Sequence, residues 1–448
     1  MHRRDLMRGM AGLGLLGGPA LAFGGCQTAP AVASEAGMDP AFFYGFPLYE
    51  FARTAQQRTA GGAGAPLNRV AHRAQLADHT SRQVTAPNND TIYSSAFLEL
   101  SNGPVEVVSP TDTKRYFSIA FMDAFTDNFA YIGTRATKGQ GGKFWIAGPQ
   151  WTGTAPADVT VLRSSTNDVW MLGRTLVDGP DDLPAARALQ TQITVRSTRP
   201  DEPALSYGVR CTSVEDPANF LDVVNDMLAR SPGGKGQTAR ASKFAAYGIG
   251  AGAMPSPELI EAWRTYLPKG IAKLKDKFMF RNLVVNGWGY QEKGVGDFGT
   301  NDFLRAGVAL GGLAALGEEE AMYFQATTDE SGTALDGSHK YVWRVPPGGI
   351  PADAFWSLTM YQAEPDGRYF LVQNPINRFS IGDRTRGLVK NADGSIDIAI
   401  QRDAPEGALA ANWLPAAAGP MRMSLRAYLP KKELRDRSWR VPPVKRLA

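Results

Sequence analysis

Phe117-Ser118-Ile119-Ala120-Phe121-Met122 and Trp356-Ser357-Leu358-Thr359-Met360-Tyr361 run through one succession: an aromatic residue, serine, an aliphatic residue, a small one, then two large ones. Each is short and largely apolar, as a β-strand would be. The recurrence predicts that two parts of the chain are versions of one sandwich topology. Around the first copy, strand signals fill a block from about Thr91 to Ile193: Tyr93–Leu100, Val105–Val108, Tyr116–Met122, Phe129–Gly133, Lys143–Ile146, Val159–Leu162 and Val169–Leu172. Around the second they run from about Tyr323 to Tyr428, with Tyr341–Val345, Phe355–Tyr361, Tyr369–Val372, Ile396–Ile400 and Met421–Tyr428. Short strands broken by Gly, Pro, Asp and Asn suit a sandwich or barrel.

Between the blocks the pattern turns helical. Asp216 reads as an N-cap with Pro217 at the first helical position, Ser256-Pro257 opens a second helix, and Asp302 to Leu316 has helical spacing. Ser231-Pro232-Gly233-Gly234-Lys235-Gly236 superficially suggests a phosphate loop but follows a helix, not a strand, so it reads as a linker. The expected organisation is a processed leader over 1–33, a β-rich domain with short leading helices over 34–213, a helical connector over 214–316 and a β-sandwich over 317–448.

The leader says where the protein works. Arg3-Arg4 and a Gly-rich, uncharged stretch from Gly9 to Gly25 look like a twin-arginine export signal, with Leu6 where Phe is commonest. The expected location is therefore periplasmic or secreted. Phe23-Gly24-Gly25-Cys26 resembles a lipoprotein box, so Cys26 is a candidate for lipidation and the membrane is a partner only through that anchor. Cys211 is the only other cysteine, which excludes a disulfide scaffold. At 448 residues, 43% apolar and 21% charged, the chain can bury a large core, and a net charge of +4 supplies no strong field for nucleic acid.

Pro87-Asn88-Asn89-Asp90-Thr91-Ile92-Tyr93 places two amides and a carboxylate on a turn that enters a strand. Such residues close Asx-turns, and they also aim donors and acceptors at a polar ligand. Asn88, Asn89, Asp90 and Tyr93 join Asp123, Asp127, Asn128, Tyr131 and Arg135 in a first constellation. Asp90, Asp123 and Asp127 are its candidate acid and base, and Asn88, Asn89, Tyr93, Asn128, Tyr131 and Arg135 its binders. The alternative is a set of loop residues that close turns and pair with Arg135. His72 precedes the cluster closely enough to serve as an acid or base beside Asp90. A second constellation, Tyr361, Asn374, Arg378 and Trp413 with Asp329, Asp336, Asn377, Asp383 and Asn412, offers amides, an aromatic face and an arginine fork to a sugar or carboxylate. Asn374-Pro375 and Asp336-Gly337 are equally ordinary turn pairs. Neither His-Glu-x-x-His nor Gly-x-Ser-x-Gly occurs, so no metal and no cofactor are expected, and no nucleophile motif marks a triad.

Pro87 to Leu100, Arg115-Tyr116-Phe117, Met122 to Phe129 and Ile132-Gly133-Thr134-Arg135 resemble the N-terminal domain of unknown function numbered twelve-fifty-four. Ala354 to Tyr361, Asn374 to Arg378, Gly394-Ser395, Asn412 to Pro415 and Arg426-Ala427-Tyr428 resemble its companion, numbered twelve-fourteen. The resemblance implies two jelly-roll-like domains joined by helices and supplies no catalytic residues. The expectation is thus a mainly β, exported protein of two sandwiches with a mostly helical connector. It acts as a metal-independent hydrolase on a polar, carbohydrate-like or amide-linked substrate, or it is a noncatalytic envelope protein that binds a glycan or protein partner. Its oligomeric state stays open.

Overall fold

The computed structural model describes residues 35–60, 64–111, 113–232, 236–277 and 283–447. The leader with its paired arginines and Cys26, and residues 233–235 of the expected linker, lie outside them.

Strands β1 (Thr91–Glu99), β2 (Val105–Ser109), β3 (Phe117–Asp123), β4 (Asn128–Gly133), β5 (Gly142–Ala147), β6 (Val159–Arg163), β7 (Asp168–Leu176) and β8 (Thr194–Ser197) form the first sandwich. One sheet has the order β1-β7-β3-β4 and the other β6-β5-β2-β8. Their facing sides close on Ala96, Leu98, Val105, Val107, Ile119, Phe121, Phe144, Ile146 and Met171. Strands β9 (Ala321–Ala326), β10 (Tyr341–Val345), β11 (Ala352–Ala363), β12 (Ser380–Gly382), β13 (Ile396–Gln401), β14 (Trp413–Pro415), β15 (Met421–Pro430) and β16 (Val444–Arg446) form the second. Its sheets run β9-β15-β11-β12 and β14-β13-β10-β16.

The two strand orders are the same, each strand of the second sandwich answering the one eight earlier in this numbering. Even the parallel pairs correspond, β5 with β6 and β13 with β14, in sandwiches otherwise antiparallel. The strands that carry the repeated hexapeptide, β3 and β11, take the same place in both. A mainly β chain of two sandwiches is therefore the architecture.

The helices depart from expectation in two ways. The short leading helices are one helix, α1 (Glu35–Thr59), although Pro40 and Pro47 lie inside it. Every residue from Ala41 to Ala52 is buried, and this packing outweighs the cost of the prolines. With α2 (Pro217–Ala229), α3 (Pro257–Lys277) and α4 (Asp302–Gly311), α1 builds a core of Phe42, Tyr44, Phe220, Trp263 and Leu267 against Phe97, Met122 and Trp170 of the first sandwich. The connector is thus half of a helical layer whose other half precedes it in sequence. Asp216 caps α2 as expected, its side chain accepting from Ala218 N–H. Second, the connector is not helical throughout: Leu283–Val285 and Trp288–Tyr290 make a hairpin that extends the second sandwich beyond β9.

Candidate functional site

The outer faces of β1-β7-β3 and β9-β15-β11 meet across a seam, and the Pro87–Asp90 turn is its bolt. Asn88 Oδ1 accepts from the backbone N–H of Asp90 and Thr91 at 2.6 and 3.2 Å, the Asx-turn expected there. Several further contacts of this turn cross the seam. Asn88 Nδ2 donates to the Tyr428 hydroxyl at 2.6 Å, Tyr361 OH to the Pro87 carbonyl at 2.7 Å, and Ser380 Oγ to Asn89 Oδ1 at 3.3 Å. Asp90 is buried, accepts from Ser357 Oγ at 2.9 Å, and has Arg384 at 3.7 Å. Seen from the other side, Glu320 just before β9 accepts from Tyr116 OH at 2.8 Å and Arg135 Nε at 2.7 Å, both on the first sandwich. Acid and arginine are exchanged reciprocally, as across a twofold axis.

The strand registers sharpen this relation. Tyr93, Arg174, Ser118 and Gly133 stand opposite one another on β1, β7, β3 and β4. Tyr323, Arg426, Ser357 and Gly382 do the same on β9, β15, β11 and β12. Each half therefore presents one Tyr-Arg-Ser-Gly row. Both glycines are required by close approach, because a Cβ would stand 2.3 Å from the Phe117 carbonyl oxygen at Gly133 and 2.2 Å from that of Trp356 at Gly382.

The rows differ in how their arginines are satisfied. Arg426 donates to Thr359 Oγ1 and Tyr361 OH, both at 2.8 Å, and to the Ala86 carbonyl at 3.2 Å. Thr359 and Tyr361 correspond to Ala120 and Met122 in the first half, which accept nothing. Arg174 keeps only the equivalent carbonyl bond, to Ala314 at 2.9 Å. Its Nη1 is buried without a partner, as are Ser118 Oγ beside it and Thr91 Oγ1 on the same face. The guanidinium lies 5.5 Å from the centre of the Tyr93 ring and within electrostatic reach of Tyr116, Tyr323 and Tyr428. Tyr93, Ser95, Leu172, Tyr323 and Gln325 stay half-buried, so solvent reaches the seam between its covered ends. Burial raises the Tyr323 hydroxyl above the usual phenol range, which marks the place as deep.

The expected acid and base do not converge. Asp90 precedes Thr91, which pairs with Leu176, while Asp123 pairs with Val169 at the far end of the same sheet. At about 3.3 Å per residue that is roughly 20 Å. Asp123 and Asp127 stay together but close a turn. Asp123 accepts from Phe125 and Asp127 N–H and from Ser165 Oγ; Asp127 accepts from Phe298 N–H at 2.9 Å and Arg305 Nη1 at 2.7 Å. Burial first, and the Asp127 charge second, push the Asp123 carboxyl up to about 6. His72 is also misplaced, since it pairs with Ser94 on the face of β1 turned away from the seam, its Nδ1 2.9 Å from Ser94 Oγ. Burial lowers its pKa.

Among the proposed binders, Asn128 Nδ2 donates to Ala315 O at 2.8 Å, and Tyr131 OH accepts from Gly317 N–H at 3.0 Å. The second constellation splits: Tyr361 goes to the seam, while Asn374, Arg378 and Trp413 stay together, bonded to backbone groups of one another and of their own loops. Asn374 closes its own loop, Arg378 holds the Ala411 and Trp413 carbonyls, and buried Trp413 donates to the Gln401 carbonyl. Arg174, Ser118, Tyr323, Arg426 and Glu320 were missed as a site. Ser118 and Ser357 stood inside the repeated hexapeptide, and extending the repeat to neighbouring strands would have found the arginines. No group of three or more metal-ligating side chains occurs among the described residues, and no helix among them is long and apolar enough to cross a membrane. A surface depression of about 510 Å³ beside Trp151 and Arg163 has no carboxylate in its lining.

Residues 67–197 match the protein family of unknown function DUF1254, and residues 320–432 match DUF1214. The chain carries both domains, in that order. No curated protein matches it. The crystal structure of the VPA0106 protein from Vibrio parahaemolyticus is similar at 25% identity over 93% of this chain and 100% of that one, with a TM-score of 0.72. A putative uncharacterized protein from Burkholderia cenocepacia aligns at 12% identity over 94% and 91%, with a TM-score of 0.46. In this DUF1254–DUF1214 chain, the seam joins the two family domains.

Proposed function

We propose that this protein works outside the cytoplasm and holds a small polar molecule in the seam between its sandwiches. The observation that carries the reading is the half-exposure of Tyr93, Ser95, Tyr323 and Gln325 midway along two sheet faces whose ends are covered. Pockets between domains, lined by aromatic rings and a few polar groups, are common small-molecule sites. The Arg3-Arg4 leader supports export, and Cys26 a lipid anchor. A second reading, hydrolysis of that molecule, is favoured by the buried Ser357–Asp90 hydrogen bond, because Asp90 there is a carboxylate beside a hydroxyl at the seam.

The test is a thermal-shift screen of the mature protein against oligosaccharides, peptidoglycan fragments and amides, repeated with Asp90→Asn and Asp123→Asn. Binding raises the melting temperature by mass action. We expect a ligand whose effect shrinks in Asp90→Asn and persists in Asp123→Asn. Consumption of that ligand by the wild type and Asp123→Asn but not by Asp90→Asn would establish the hydrolase; equal shifts in all three proteins would move the site away from the seam.

A further inference from the structure

Resting on the seam reading, we propose that Arg174 is an anion-binding residue and that the ligand carries a carboxylate, received by Arg174 Nη1 together with the Ser118 hydroxyl. An arginine stays protonated, and taking its charge out of water costs several kcal/mol unless a counter-charge and hydrogen bonds compensate. Arg174 is 6% exposed and has no carboxylate partner among the described residues. The two acids of the seam are engaged elsewhere, Asp90 with Ser357 and Arg384, Glu320 with Tyr116 and Arg135.

Comparison with the second row shows that the vacancy in hydrogen bonding belongs to this half. The same lattice position there, Arg426, has its Nη donors absorbed by Thr359, Tyr361 and the Ala86 carbonyl. With Ala120 and Met122 in place of those acceptors, Nη1 of Arg174 remains available. Ser118 stands directly across from Arg174, which puts two unsatisfied groups side by side on one face. Directly opposed residues on neighbouring strands have Cβ atoms about 5 Å apart, a spacing that one carboxylate spans. One unneutralised arginine with a neutral hydroxyl matches a single negative charge; a phosphate dianion would call for a second free cation. The rings of Tyr93, Tyr323 and Tyr428 supply the surrounding walls.

The experiment is calorimetric titration of the mature protein with acetate, benzoate, inorganic phosphate, acetamide and benzamide at fixed ionic strength. Wild type, Arg174→Gln, Arg174→Lys, Ser118→Ala and Tyr323→Phe are compared after circular dichroism has confirmed their folding. We expect the carboxylates to bind, benzamide and acetamide at least ~10-fold more weakly, and Arg174→Gln to lose ~10- to 100-fold of the carboxylate affinity, as for hydrogen bonds to a charged group. Arg174→Lys should fall between, and Ser118→Ala should lose a few-fold. Amides binding as well as carboxylates, with sensitivity to Tyr323→Phe but not Arg174→Gln, would overturn the anion class and leave the seam reading intact. Phosphate preferred over carboxylate would overturn the single-charge argument. Binding indifferent to every variant, or none by any probe, would overturn both.

Discussion

The two sandwiches present the same row of side chains to the seam and put it to different use. In the second half, Arg426 is tied to Thr359, Tyr361 and Ala86, so the row is finished structure. In the first, Ala120 and Met122 stand where those acceptors would be, and Arg174 and Ser118 retain unpaired groups. A duplicated scaffold thus separates what the fold requires, a buried row with a glycine at its end, from what one copy leaves open. Saturation of hydrogen bonds distinguishes the halves where residue identity does not.

The strongest way to break this comparison is to remove each arginine. Arg426→Met should destabilise by about 3–5 kcal/mol, because it strands buried acceptors around Asp90. Arg174→Met should change stability by about 1 kcal/mol or less without ligand, since it loses one carbonyl bond and an unpaired charge together. Urea unfolding of both variants measures the gap, and equal losses would mean that Arg174 is as structural as its counterpart.

The glycines test whether the rows are equivalent in backbone. Gly133→Ala and Gly382→Ala should each cost about 2–3 kcal/mol through clashes with the Phe117 and Trp356 carbonyls. Gly133 should be the worse, since its φ of +145° disfavours any side chain. Thermal melts that leave either variant unchanged would dissolve the correspondence.

The smallest effect comes from the other end of the first sheet, where Asp123 and Asp127 have no counterpart in this row argument. The folded carboxyl of Asp123, near 6, lies above an unfolded aspartate, so the native state binds more protons between these values. Stability should then fall as pH rises from about 4 to about 6, by about 1–3 kcal/mol, and level off above. Asp123→Asn should flatten that slope in urea titrations across the range. A slope unchanged by the substitution would place its origin elsewhere.

Much of this was legible in the residues. Strand composition and the repeated hexapeptide announced two sandwiches of one topology, because a strand's place is written in its local alternation of side chains. The Asp216 cap and the Pro87–Asp90 turn were equally local, resting on side chains that bond their own backbone. Helix α1 was not, since its prolines argue against it and burial against α4, α2 and α3 sustains it. Nor was the separation of Asp90 from Asp123, which depends on the direction in which β1 and β3 cross the sheet. The sequence by itself determined most of the strands, the duplicated pattern and the seam's central turn, all set by short-range chemistry. Only the tertiary structure decided which polar groups are spent and which remain: Arg174 and Arg426 differ through partners that lie elsewhere in the chain, brought to them by folding.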